Sequence, residues 1–226
     1  MAVTTMPPPS RPAPERDRPA ARFTPPDLVD LRTAWTRERE LATCPGARHD
    51  AAPVARCPGR HGRLLDDGLD ELLDPVLGPN ATPGYYPFRD LGAHTAAGLL
   101  GRLDPEVLAS ERQNLGPTLG TVLRAVVRHP DRLLAEGYVI GPLRCDERVT
   151  VTAVLLRTDR PLRIERRHDD GCECDDVLRT LTALGVDDMD APPDEITPCW
   201  GPACLATPPG AEGADDDEPW YRAWWD

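Results

Sequence analysis

Proline and glycine limit how much of this chain can fold. The 226 residues include 27 prolines and 18 glycines, together about a fifth of the sequence, a level close to that of low-complexity sequence. Large apolar side chains are correspondingly scarce, with two Phe, four Tyr and three Met. Sequence of this kind cannot bury enough apolar surface to offset the entropy lost on ordering. We therefore expect a folded core of roughly a hundred residues with extended sequence on either side of it.

Chain-breaking residues and apolar residues alternate in a way that predicts four regions. Residues 1–25 are expected to form a disordered arm rich in Pro and Arg, and residues 26–80 to form short helices around a loop that contains Cys and His. Residues 85–190 are the predicted core domain, and residues 191–226 form an acidic tail that contains Trp. The stretch 79–87 is interpreted as a linker.

The apolar spacing within the core predicts an α+β fold, with two or three helices followed by a small antiparallel sheet and a closing helix. The helix that begins at Pro117 has a complete apolar stripe at helical spacing, formed by Leu119, Val122, Leu123, Val126 and Val127. A single helical turn is expected over 131–136. Strands are expected over 138–143, 148–157 and 162–167, with the last two forming a hairpin.

Charge is divided unevenly along the chain. The last 58 residues, 169–226, contain 16 acidic residues and two arginines, which is a local charge of −14. The preceding 168 residues have a local charge of +2, so the net charge of −12 arises from the C-terminal part. Such asymmetry points to an electrostatic partner and not to a particular fold.

The tail combines its negative charge with large aromatic rings. The acidic residues are Asp215, Asp216, Asp217 and Glu218, and the aromatic residues are Trp220, Tyr221, Trp224 and Trp225. Aromatic anchors within a polar segment are typical of peptides that fold on binding. We therefore predict a non-enzymatic binding or regulatory protein, whose tail contacts a protein with a basic surface. The alternative is that the tryptophans pack on the neighbouring core.

An arginine-rich stretch over 124–168 supports a second function, nucleic-acid binding. Two helices, a short turn and an arginine-bearing hairpin follow in the order found in winged helices, whose second helix enters the major groove of DNA. The tail would then compete with nucleic acid as an autoinhibitor. The predicted contacts are Thr118, Thr121, Arg124, Arg128, Arg157, Arg160 and Arg163. The ordinary alternative is that these arginines lie on a solvated surface.

Two groups of Cys and His side chains have the chemistry of zinc ligands. The first is Cys44, His49, Cys57 and His61, whose C-x4-H-x7-C-x3-H spacing matches no common zinc-finger pattern. The second is His168, Cys172 and Cys174, at the predicted start of the closing helix. This second group supports a third function, a zinc-dependent enzyme. Nucleophilic catalysis by one of its thiols is a weaker interpretation, because the surrounding carboxylates disfavour a thiolate.

Cysteine usage and hydropathy bear on the environment of the protein. Seven cysteines without a secretory signal predict a reducing, cytoplasmic location with thiols or metal ligands in place of disulfides. No stretch of about 18 apolar residues occurs, so we predict no membrane partner. All 26 basic residues are arginine, which is typical of a high-GC bacterial genome.

Overall fold

The computed structural model describes residues 30–42, 61–78, 81–165, 170–199 and 219–226. The helices, in chain order, are α1 (Leu31–Leu41), α2 (Arg63–Asp66), α3 (Leu69–Leu73), α4 (Ala93–Arg102), α5 (Pro105–Ser110), α6 (Leu119–Arg128) and α7 (Cys174–Ala183). The strands are β1 (Tyr85–Leu91), β2 (Leu133–Ile140), β3 (Arg148–Arg157), β4 (Glu195–Cys199) and β5 (Trp220–Trp224). The predicted arm over 1–25 lies outside the described residues.

All five described strands form one antiparallel sheet in the order β1-β2-β3-β5-β4. Helices α4 and α6 contribute Leu99 and Leu123 to a core shared with the inward-facing residues of the sheet, such as Phe88 and Val139. The α+β class predicted from the sequence is therefore confirmed. Strand β3 has the bounds that alternation predicted for it, 148–157.

The helix predicted to begin near Pro117 and the closing helix are both present, because their signals are local. In α6 the residues Leu119, Val122, Leu123 and Val126 are fully buried, as the stripe indicated, whereas Val127 is exposed. Asp104 caps α5 by accepting a hydrogen bond from the backbone N–H of Glu106. The closing helix α7 is followed by Gly185 with φ +89°, a left-handed conformation that glycine adopts without strain.

Two predictions about the sheet are wrong. The expected helical turn over 131–136 is instead the first half of β2, which pairs with β1 on one edge and β3 on the other. Residues 162–165 form no strand, and the described residues do not form the expected hairpin, because β5 pairs with that edge of β3. In both places long-range pairing supplies backbone hydrogen bonds that short-range sequence cannot reveal.

The predicted linker over 79–87 contains the start of a strand. Strand β1 includes Pro87, which has no N–H for a ladder of hydrogen bonds. The strand tolerates proline because it lies at the edge of the described sheet, with β2 as its only neighbouring strand and one isolated bridge from Leu77 on the other side. Proline in a stretch of sequence therefore disfavours a central strand but is compatible with an edge strand.

The C-terminal residues are part of the sheet. Strand β5 lies between β3 and β4, and Trp220, Tyr221 and Trp225 are buried. The Trp225 indole N–H donates to the carbonyl of Ala191 at 3.1 Å. The expectation of an unstructured aromatic tail is thus wrong for residues 219–226, and the alternative, in which these rings pack on the core, describes them.

The structure also bears on membrane crossing and on the state of the cysteines. None of the helices in the described parts of the chain has the length and apolar character needed to cross a membrane. Cys199, at the end of β4, is disulfide-bonded, so the expectation of thiols without disulfides is wrong for this residue.

Candidate functional site

The sheet has a second face, opposite the main core, which carries polar and aromatic side chains. Successive side chains of a strand point to opposite faces. In β2, Ala135 and Val139 belong to the core, so their neighbours Glu136 and Tyr138 lie on the other face. In β5, Ala223 belongs to the core, so Arg222 and Trp224 lie on the other face. Strands β1, β2, β3 and β5 each supply a row to this second face, and the row of β3 includes Thr152.

A groove of about 300 Å³ lies on this face. Its floor and walls include residues from β1, β2, β5 and the turn that precedes α6. Its polar and aromatic lining includes Tyr85, Gln113, Glu136, Tyr138, Arg222 and Trp224. We refer to this site as the sheet groove.

Glu136 is the chemically unusual residue of the sheet groove. Its side chain is buried, with the residue only 4% exposed. One carboxylate oxygen, Oε2, accepts a hydrogen bond from Nε of Arg222 at 2.7 Å. The other oxygen, Oε1, has no hydrogen-bond partner among the described residues. A buried carboxylate oxygen that accepts no hydrogen bond lowers the stability of the protein. The groove therefore offers a strong acceptor to a ligand that has a hydrogen-bond donor.

Aromatic rings flank this carboxylate. The rings of Tyr85 and Tyr138 lie 5.3 Å apart, and Tyr85 is 42% exposed. On the other side, the guanidinium carbon of Arg222 lies 5.7 Å from the ring centre of Trp224. The Tyr138 hydroxyl donates to Oε1 of Gln113 at 3.1 Å, which holds the ring in place. The groove therefore combines an anionic acceptor with aromatic faces, which together suit a planar cation.

Most of this site escapes prediction from the sequence. Local patterns place Glu136 in a helical turn, and they do not single out Tyr85 or Gln113. The usable signal is the alternation around Glu136 and Tyr138, two polar side chains that occupy every second position within an apolar stretch. That pattern indicates a strand with one polar face.

The tail residues predicted as contact anchors occupy different environments. Trp220, Tyr221 and Trp225 are buried, and only Trp224 is half-buried on the rim of the sheet groove. The acidic residues Asp215, Asp216, Asp217 and Glu218 lie outside the described residues. Of the predicted anchors, Trp224 is therefore the one placed to contact a ligand in the folded protein.

The residues predicted to contact nucleic acid do not share one exposed face. Thr118 and Thr121 are buried, and their hydroxyls donate to Asp188 at 2.6 and 2.9 Å. Arg160 is paired with Glu173 and Asp176, and Arg163 with Glu165. Arg124 and Arg128 are exposed on α6, and Arg157 is half-buried at the end of β3. DNA binding by these residues stays a prediction. Without the hairpin, Arg124 and Arg128 would have to make the contacts to DNA.

The predicted zinc ligands are only partly described. Cys44, His49, Cys57 and His168 lie outside the described residues, and no group of three or more His, Cys, Asp or Glu within the described ranges is arranged to hold a metal ion. Cys172 and Cys174 lie together, with their Sγ atoms 2.7 Å apart. The ring of His61 has Nδ1 at 2.8 Å from the carbonyl oxygen of Pro142, and its Nε2 is buried without a partner among the described residues.

We found no match to this chain among protein-family models, curated proteins or solved structures. Its function is therefore inferred from the chemistry of the sites alone.

Proposed function

We propose that this chain is a non-enzymatic binding protein whose sheet groove receives an arginine side chain from a partner protein with a basic surface. The observation that carries the proposal is Oε1 of Glu136, a buried carboxylate oxygen without a hydrogen-bond partner among the described residues. A guanidinium group would supply the missing donor and would place a positive charge beside the carboxylate. Its delocalised plane also stacks on aromatic rings, which an ammonium group cannot do.

The aromatic residues of the groove support the same ligand. Tyr85 on one side, which is exposed, and Trp224 on the other offer ring faces to a flat cation. The ring of Tyr138 already has the guanidinium of Arg148 over it, 5.7 Å from the ring centre. Arg222 already shows this contact within the protein, since its guanidinium both stacks on Trp224 and pairs with Glu136. A second guanidinium would use the oxygen that Arg222 leaves unpaired.

Long-range charge favours a basic partner as well. The net charge of the chain is −12, so a positively charged protein is attracted before contact. The four acidic residues from Asp215 to Glu218 directly precede β5 in sequence and are proposed to strengthen this steering. Steering of this kind weakens as ionic strength rises.

Binding to short peptides tests the proposal. The probe is a capped Gly-Arg-Gly peptide, titrated into the full chain while the tryptophan fluorescence and the heat of binding are measured. Matched peptides contain lysine, which keeps the charge but not the plane, or citrulline, which keeps the plane but not the charge. We expect the arginine peptide to bind at least about tenfold more tightly than either one, equivalent to about 1.4 kcal/mol.

Two variants and one control assign the binding to the groove. Glu136→Gln removes the charge of the acceptor, and Trp224→Leu removes one aromatic ring. Each is expected to lower the affinity for the arginine peptide by at least about tenfold. Glu71→Gln changes a carboxylate on α3 that is 65% exposed and outside the groove, and it should leave binding unchanged. Equal binding of the three peptides, or an equal effect of Glu71→Gln, would rule out an arginine site in the groove.

A separate observation supports a second proposal, that His61 is a zinc ligand together with Cys44, His49 and Cys57. The Pro142 carbonyl accepts a hydrogen bond when Nδ1 carries the proton, which leaves Nε2 as the atom with a lone pair. This is the tautomer that metal-ligating histidines adopt, with the other nitrogen bonded to a backbone carbonyl. The backbone N–H groups of Gly62 and Arg63 both donate to Glu147, which holds the segment after His61 in place.

Elemental analysis tests the zinc proposal. Protein purified without added metal is expected to contain about one zinc per chain, and His61→Ala is expected to lose most of it, because removal of one of four ligands breaks a closed site. His94→Ala, which changes an exposed histidine at the start of α4, is the control and should retain the metal. Wild-type protein without stoichiometric zinc would contradict the proposal.

A further inference from the structure

A second groove, separate from the sheet groove, lies at the start of α7. It has a volume of about 420 Å³ and is lined on one side by the apolar residues Leu178, Pro192, Pro193 and Ile196. On the other side it is lined by the half-buried residues Cys172 and Cys174, whose Sγ atoms lie 2.7 Å apart. Two thiols therefore face a groove large enough to hold a small molecule.

We propose that Cys172 and Cys174 form a redox-active dithiol that reacts with small disulfides of the glutathione type and closes into an intramolecular disulfide. This inference goes beyond the proposed binding function and is independent of it. Little movement is needed, since the sulfurs at 2.7 Å must approach to about 2.05 Å. The groove beside the thiols gives the attacking oxidant access to them.

The two sulfurs have different environments, which assigns their roles. The backbone N–H of Glu165 donates to Sγ of Cys172 at 3.3 Å, a contact that stabilises a thiolate there. Cys174 has its Sγ 2.7 Å from that sulfur, so its S–H is placed to donate to a thiolate at Cys172. Cys172 is therefore the attacking thiolate and Cys174 is the second thiol.

Neighbouring acids are less of an obstacle than the sequence suggested. Glu173 and Asp176 are both held by Nη2 of Arg160, at 2.7 and 3.0 Å, so their charges are compensated. The side chain of Glu165 is likewise paired with Arg163. Asp170 and Asp175, which line the groove, are the carboxylates that still disfavour a thiolate.

The reaction balances as an exchange of two electrons. The Cys172 thiolate attacks one sulfur of the small disulfide, whose S–S bond breaks, and the first small thiolate leaves and takes up a proton. Cys174 then loses its proton to solvent and attacks Sγ of Cys172, which releases the second small thiolate. The protein dithiol is oxidised to a disulfide, and one small disulfide is reduced to two small thiols.

Incubation of the reduced full chain with oxidised glutathione tests the proposal. After acid quenching and digestion with trypsin under non-reducing conditions, both cysteines lie in one peptide, residues 168–179. We expect this peptide to lose two hydrogens without retaining glutathione. The wild-type result does not depend on any variant being folded.

Three variants separate the roles of the sulfurs. Cys174→Ser is expected to accumulate glutathione on Cys172, because no second thiol can release it. Cys172→Ser should react at least about tenfold more slowly, because it removes the sulfur that receives the stabilising N–H of Glu165. Cys145→Ser, on the loop between β2 and β3, is the control and should leave the reaction of the peptide unchanged.

Three results would overturn the proposal. One is glutathione retained on both cysteines of the wild-type peptide, and another is a peptide that remains fully reduced at excess oxidant. The third is a peptide that reacts only after a chelator is added, which would identify the pair as ligands of a bound metal, the role that their sequence spacing also allows.

Discussion

Removal of residues 219–226 is expected to prevent folding of the whole described sheet. These residues contain β5, which is the only described strand that pairs with β4 and which also covers one edge of β3. The deletion removes the buried rings of Trp220 and Trp225, each worth about 3–5 kcal/mol when truncated to alanine. The loss of these two rings alone approaches the total stability of a typical domain, about 5–15 kcal/mol.

Circular dichroism and thermal unfolding measure this effect. The truncated chain is expected to lose its cooperative transition, whereas removal of residues 2–9, within the predicted arm, should leave the transition within a few degrees of wild type. A truncated chain that unfolds cooperatively near the wild-type temperature would show that β5 is not needed for the fold. The same result would favour an independent tail, since the aromatic residues would then be dispensable for stability.

Substitution of Arg222 by leucine is expected to cost about 3–5 kcal/mol of unfolding free energy, because it leaves the charge of Glu136 buried without compensation. The pair has side chains that are 17% and 5% exposed, with Nε of Arg222 at 2.7 Å from Oε2 of Glu136. A charge so far removed from water is stabilised by its partner and not by solvent.

Replacing both residues by leucine should recover most of the loss. Two apolar side chains remove both desolvation penalties, and such replacements are often neutral or stabilising. Urea unfolding of the two single variants and the double variant gives the coupling free energy directly. The double variant also removes the acceptor of the sheet groove, so it is expected to be stable and unable to bind the arginine peptide.

An exposed ion pair provides the control for this cycle. Arg39 and Asp66 lie 2.8 Å apart with side chains 41% and 56% exposed, so Arg39→Leu should cost no more than about 1 kcal/mol. A similar cost for Arg39→Leu and Arg222→Leu would mean that burial of the Glu136 pair has no energetic consequence. A double variant much less stable than wild type would mean that the pair contributes net stability relative to two leucines.

The candidate sites differ in how far they can be predicted from the sequence. Cys172 and Cys174 are evident from their spacing, because two thiols separated by one residue must lie near each other. The sheet groove cannot be found in that way. Glu136 and Arg222 are 86 residues apart and meet only because β2 and β5 lie on either side of β3.

Within the fold, the sequence alone determined the elements whose signals are local. The apolar stripe predicts α6, Gly185 marks the end of α7, and alternation predicts β3. A helix satisfies its backbone hydrogen bonds within itself, and a half-buried strand has one apolar and one polar face, so both leave a local pattern in the sequence. The strand β2 and the entry of the C-terminal tryptophans into the sheet both depend on long-range pairing, which is seen in the structure and not in the sequence. A strand is completed by hydrogen bonds to distant residues, and no short stretch of sequence states which residues those are.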